Sequence, residues 1–418
     1  MTAASLLATG TTAAGDQAAA AHAAPARPAR HIAYDEWATR AQLRSGHGAG
    51  VAVRRAGVRI RRPVGRTTYR DPESGRRTAY DLARWTSPWV RPGFRLTEAV
   101  ASWNATTPRG TFIGVQMRGR TPQGRRSSWD TLGNWASHER RFHRTTLGEQ
   151  ADDVAEVAVD TLRTRGRATF ARWQLRVTLF RRAGTARTPQ LHGVGAMVSR
   201  LPGGDPPTTR TSMRRARDLQ VPRRSQMIHR GHYPQFGNGG EAWCSPTSTT
   251  MLLRFWGEGP RPREYSWVGD RHRNADVDHA ARFVYDYGYD GAGNWAFNTA
   301  YAHRYGMRSF VTRLRSLREA ERFVKSGIPL AASVKFGAGE LDGAPISSTA
   351  GHLMVIRGFT AGGDVIVNDP AARGNRGVRR VYDRGQFADA WVGGSGGLVY
   401  VIRPRGKDLP TPSAEANW

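Results

Sequence analysis

The strongest constraint on this chain is a change of pattern across residues 202–220. That stretch, PGGDPPTTRTSMRRARDLQ, has no hydrophobic period and is dense in Pro, Gly, Thr and Arg, so it reads as a linker. Before it, short segments alternate apolar and polar residues, at 50–53, 99–103, 111–117 and 173–180, with Pro, Gly and Asn turns between them. Alternation of period two places one side-chain set on each face of a strand, so residues 31–201 predict an all-β domain, a sandwich or jelly roll. After it, the periods mix. Residues 245–256 predict a helix with Met251, Leu252 and Phe255 on its apolar face. Ser316-Leu317-Arg318-Glu319 is a capping box opening a helix that stops at Gly327. Residues 328–336, 353–359, 365–367 and 398–402 predict strands. Residues 221–404 are therefore an α+β domain, followed by a disordered tail at 405–418. The two halves are expected to be separable at the linker.

Composition narrows the class. The 418 residues allow two or three domains, and 39% hydrophobic residues exclude a disordered chain. No uninterrupted apolar run of 18 residues occurs, so no transmembrane helix is predicted. A single cysteine excludes an intrachain disulfide framework and any thiolate-rich zinc or iron–sulfur site. Net charge is +29, and 60 of the 63 basic side chains are arginine. Such a surface attracts polyanions, among them anionic cell-wall polymers. The arginines are scattered singly and in pairs, without a dense stripe or a nucleic-acid-binding motif, so no specific nucleic-acid partner is expected. GC-rich codon usage produces the same excess of Arg, Ala and Gly. Residues 1–30 are small-residue rich and contain Ala21-His22-Ala23 ahead of Ala24, an A-x-A-type cleavage pattern. The segment is expected to be signal-like or disordered, and the protein secreted or wall-associated. Trp103, Trp129, Trp135 and Trp173 could form a sugar-stacking face, but aromatics at such spacing more often fill a sandwich core, which is the expectation here.

Candidate chemistry centres on Cys244, in Gly239-Gly240-Glu241-Ala242-Trp243-Cys244-Ser245-Pro246-Thr247-Ser248. A thiol at a helix start faces unpaired backbone N–H groups and the positive end of the dipole, and both favour the nucleophilic thiolate. Pro246 fits the first helical turn. The upstream glycines would let a substrate chain approach the backbone. A thiol nucleophile needs an imidazole to stabilise it and to protonate the leaving group, and a third group to orient that imidazole. His352 stands at the mouth of the strand Leu353-Met354-Val355-Ile356, which turns at Gly362-Gly363 and returns through Val365-Ile366-Val367-Asn368-Asp369. A two-residue loop sets Ile356 opposite Asp369, and His352 shares the face of Ile356. The parity suits a His–Asp pair, but four residues of strand separate them until twist or a bulge closes the gap.

Residues 221–404 resemble the papain-like cysteine peptidases of the bacteriocin-processing (double-glycine leader peptidase) type and their stand-alone bacterial relatives. The motifs that carry the resemblance are Cys-x-Pro-Thr-Ser leading into Met-Leu-Leu, Gly-His-Leu-Met-Val-Ile-Arg-Gly-Phe, and Val-Asn-Asp-Pro-Ala. The resemblance implies Cys244 as nucleophile, His352 as general base and acid, and Asp369 as the orienting residue. It also implies an oxyanion-hole glutamine a few residues before the cysteine. Gln226 has the matching context, Val-Pro-x-x-x-Gln, but lies 18 residues upstream, which an insertion at 227–239 would explain; Gln235 lies nine upstream with less context. Hydrolysis of an amide in a peptide or protein substrate, without metal or cofactor, is the expected activity. Acyl transfer and a non-catalytic wall- or glycan-binding role on a papain-like scaffold are the alternatives. Two other motifs carry less. Gly393-Gly394-Ser395-Gly396-Gly397 matches G-x-S-x-G but precedes a strand and has no later His, so it reads as a turn. Asp276-Val277-Asp278-His279 lacks a metal-binding partner motif and reads as a helix surface.

Overall fold

The computed structural model describes residues 29–139, 142–204, 206–269, 272–412 and 415–418. The expected signal-like segment lies outside them except for its last two residues.

The period-two alternation before residue 202 becomes two antiparallel sheets. One contains eight strands, centred on Glu98–Thr106 and Gln190–Arg200, with His31–Trp37 along the latter. The other contains six, centred on Arg172–Arg182 between Arg77–Thr86 and Thr111–Arg120. Inward residues of both, including Ala101 and Trp103 from the first and Trp85, Val115 and Val177 from the second, meet in one core. Trp103, Trp135 and Trp173 are fully buried in it. Trp129 is not: it lies half-buried between the guanidinium groups of Arg118 and Arg176, each 4.3 Å from its ring.

The carboxyl half is α+β. Its seven-stranded sheet runs in the order Met307–Arg313, Leu398–Pro404, Leu330–Phe336, Thr349–Phe359, Val365–Asn368 and Arg379–Tyr382, with Arg217–Asp218 also on Thr349–Phe359. Alternation along Thr349–Phe359 assigns its two faces. Leu353 and Val355 join the core shared with the helices Cys244–Phe255, Ala275–Val284 and Trp295–His303, while Met354 and Ile356 join a second core under the helix Leu317–Lys325. Among the described residues no sheet closes on itself.

Several expectations need correction. The halves share one core: Phe297 of the carboxyl half packs edge-on against Trp103 and at 5.2 Å from Trp135. A Cβ on Gly133 would come within 2.8 Å of the Phe297 ring, so the β half has no side chain there to keep the ring out. The Trp295 amide donates to Asp160 (2.7 Å), the Val311 amide to Ser102 Oγ (2.8 Å), and Arg313 pairs with Glu98 (2.9 Å). Residues 202–220 are not a free tether either. Thr211 Oγ1 donates to Glu321 at 2.8 Å, and Asp218 bridges Arg357 and Arg379. The tail is ordered where described: Asn417 is buried, and Trp418 packs on Phe323. That tail also displaces the capping box. Ser316 makes no side-chain cap, and Glu319 instead accepts from the Arg315 amide (2.7 Å) and Asn417 Nδ2 (2.9 Å).

Register in the hairpin differs from the two-residue turn as well. Phe359 pairs with Val365 and the Thr360 amide donates to the Asp364 carbonyl, leaving a three-residue loop. A bulge at Arg357 shifts the ladder once more, so Ile356 faces Val367 and Val355 faces Asn368. Two one-residue shifts preserve the face. They bring Asp369 level with Met354, two residues from His352 rather than four.

Candidate active site

Helix Cys244–Phe255 starts at the cysteine itself, with Trp243 as its cap residue and the Thr247 amide bonded to the Trp243 carbonyl at 3.0 Å. The expected apolar face understates its burial: every residue from Ser245 to Leu253 is buried. The helix runs between the sheet and two other helices, and most of its polar side chains find partners inside, Thr247 Oγ1 excepted. Ser245 Oγ meets Tyr400 Oη (2.8 Å), Ser248 Oγ donates to the Leu353 carbonyl (3.1 Å), and Thr249 Oγ1 donates to Asn298 (3.1 Å). The Ser248 bond ties the cysteine helix to the residue after His352.

The three expected residues converge. His352 is the first buried residue of its strand, and its Nε2 lies 2.8 Å from Asp369 Oδ1. Cys244, half-buried, lines the same cleft as His352. With Nε2 engaged by Asp369, Nδ1 is the ring nitrogen left for the thiol. Asp369 is fully buried, and Tyr382 Oη donates to its Oδ2 (2.8 Å) while the Ala371 amide donates to Oδ1 (2.9 Å). Burial opposes charge on all three groups, yet their neighbours shift each toward its charged form. The imidazole is pushed up to about 10, against its burial, by the Asp369 carboxylate and by Cys244. The thiol is lowered, despite burial, by the hydrogen bond and charge of His352 and by the Leu353 and Ser245 amides. Asp369 is lowered, also against burial, chiefly by His352.

Gln226 and Gln235 separate clearly. Gln235 is exposed and does not line the cleft. Gln226 is buried in the cleft wall beside Cys244; its amide N–H donates to Pro370 O (2.9 Å), next to Asp369, and its Nε2 donates to Glu241 O (2.6 Å). The upstream glycines serve the chain's own packing. A Cβ on Gly240 would lie 2.3 Å from the Gln226 carbonyl oxygen, so glycine lets that turn close on Gln226. Ser395 Oγ donates to the Trp391 carbonyl (2.9 Å), and a strand follows it.

The cleft that exposes Cys244 has a volume of about 1040 Å³. Part of its wall comes from the β half, at the hairpin tip Ala158-Val159-Asp160-Thr161. Val159 has φ +57°, a left-handed conformation costly for a β-branched residue. Burial pushes the Asp160 carboxyl up to about 6, against the hydrogen bond it accepts from the Trp295 amide. Neither this tip nor Tyr382 was legible in the sequence, because both reach the site through tertiary packing and no local motif marks them.

Residues 218–397 match the family described as Peptidase_C39 like family. That match spans the carboxyl half of the chain. Residues 33–199 match a second description, Peptidase C39 N-terminal domain, so the β half, for which the sequence suggested no relative, pairs with a C39-like half under a description of its own. No curated protein matches the chain. The matched C39-like range contains Gln226, Cys244, His352 and Asp369.

Proposed function

We propose that this protein is an exported cysteine peptidase with a papain-like catalytic half, hydrolysing an amide bond in a peptide or protein substrate. The observation that carries the reading is the half-buried Cys244 thiol at a helix N-terminus, its pKa lowered by a neighbouring imidazole that Asp369 holds at 2.8 Å. The Cys244 thiolate attacks the substrate carbonyl, and the resulting oxyanion is met by the Cys244 backbone N–H and by the Gln226 Nε2 hydrogen not spent on Glu241. The His352 imidazolium protonates the departing amine, leaving an acyl-enzyme. Water, deprotonated by the now neutral imidazole, attacks that thioester and releases the acid and the thiol. Asp369 orients the ring and Tyr382 holds Asp369. Outside the cell, the arginine-rich surface would retain the protein on anionic wall polymers; retention that survives high salt would overturn that part of the reading.

The test is the iodoacetamide labelling rate of Cys244 against pH, run beside turnover of a peptide substrate. Wild-type protein should label well below the free-thiol value of about 8.5. His352→Ala should move the profile upward and abolish turnover, whereas Asp369→Asn should reduce turnover less. Labelling only above the free-thiol range, or a profile unmoved in His352→Ala, would show a structural cysteine. Normal labelling with no hydrolysis, but product formed with an added amine, would convert the assignment to acyl transfer.

A further inference from the structure

Away from Cys244, two histidines of the 227–239 insertion and one aspartate meet in the interior. His229 and His232 lie three residues apart around the short helix Met227–His229, and Asp278 faces them from helix Ala275–Val284. Asp278 and its neighbours are therefore not a helix surface: Asp276, Asp278 and His279 are all buried. His232 Nδ1 lies 3.0 Å from Asp278 Oδ1, and His229 Nδ1 lies 2.9 Å from Asp278 Oδ2.

The second contact is unusual. His229 and Asp278 are fully buried, yet at 2.9 Å these two atoms make no hydrogen bond, and His229 Nε2 also has no partner among the described residues. Leaving such groups unsatisfied costs about 1–3 kcal/mol each, so a buried pair of this kind calls for a ligand. One donor atom from each of the three side chains lies within 4.8 Å of the others. Ligands at about 2.1 Å from a tetrahedral ion lie roughly 3.4 Å apart, between the 2.9–3.0 Å His–Asp contacts and the 4.8 Å limit of the set, so small side-chain movements would admit the ion. His232 keeps 18% of its side chain exposed, giving an entry path, and the exposed ring of His272 lies 3.9 Å from it, centroid to centroid, where a fourth ligand would stand.

We propose that His229, His232 and Asp278 form a divalent transition-metal site, with zinc as the ion, completed by water or His272. Two imidazoles and one carboxylate are a borderline donor set that favours zinc over magnesium or calcium, which prefer all-oxygen shells. The site has a structural consequence. It fastens the insertion to the helix beside it, and Gln226, at the start of that insertion, is thereby fixed next to Cys244.

The experiment uses the full chain, stripped with a chelator, reloaded with zinc sulfate alone, desalted and analysed for zinc by atomic emission. Wild-type protein should retain one zinc per chain. Its melting temperature should rise by about 3 °C when free zinc is a hundredfold above Kd. Cys244→Ser should keep the ion, because the site lies away from the thiol. His232→Gln, at the least buried ligand, and Asp278→Asn, which keeps the shape, should lose both the ion and the thermal shift. Should Asp278→Asn fail to fold, the His232→Gln result decides alone. No retained zinc in wild type, zinc undiminished in His232→Gln, or zinc lost in Cys244→Ser would each overturn the proposal.

Discussion

Replacing Phe297 by alanine tests whether the two halves behave as one cooperative body. Phe297 is fully buried, touches Trp103 and Trp135 of the β half, and occupies the space left open by Gly133. Truncating a buried phenylalanine costs about 3–5 kcal/mol, and close packing on both sides of the ring limits collapse into the space left behind. The size of the melting shift then reports the size of the unit that melts. At about 2.1 cal/mol/K per residue, a unit of roughly 390 residues unfolds with about 0.8 kcal/mol/K, so a loss of about 4 kcal/mol lowers the melting temperature by about 5 °C. A carboxyl half of about 200 residues melting alone would fall by about 10 °C, and the β half would keep its own transition. Scanning calorimetry of wild type and Phe297→Ala distinguishes the two. One transition moved by about 5 °C is expected. Two transitions, with a shift near 10 °C confined to one, would refute the shared core, and a shift below about 2 °C would refute the packing role of the ring.

Tyr382→Phe removes the phenol that donates to Asp369 Oδ2 and leaves a buried carboxylate oxygen short of a donor, at about 1–3 kcal/mol of stability in thermal denaturation. Turnover should fall, but less than in Asp369→Asn, since the His352–Asp369 bond remains. The raised imidazole sets a pH dependence with a definite sign. A histidine whose folded pKa of about 10 exceeds its ordinary unfolded value stabilises the fold most fully below the unfolded value, and that contribution is lost as pH rises through about 10. Urea unfolding should therefore show an alkaline decline that His352→Gln flattens; an identical decline in both proteins would remove His352 as its source.

Much of the site was legible because strand parity is a strict rule. His352 and Asp369 were placed on one face by counting, and they meet there. The count itself was off by two, from a longer loop and from the bulge at Arg357, and only an even total kept the face. Helix starts were legible from the run into Cys-x-Pro, which puts Cys244 at the first turn. What sequence could not supply was every relation made by packing across the halves. The linker pattern at 202–220 is real as composition, but Glu321, Arg357 and Arg379 secure that segment from positions far along the chain. The buried Asp278 was missed for the same reason: its histidine partners lie some fifty residues earlier, outside any short spacing rule.

The hairpin tip at Val159 and Asp160 has an evolutionary consequence. The atoms of the proposed bond-breaking chemistry and part of the wall a substrate must pass belong to stretches of chain that match separate family descriptions. Mutation or recombination in the amino-terminal stretch can therefore reshape which substrates fit, while the thiol and imidazole stay untouched. The shared Phe297 core limits that freedom, because an exchanged partner must also present a Gly133-like gap and an Asp160-like acceptor. Lineages should then diverge at the tip while holding its supporting residues nearly constant.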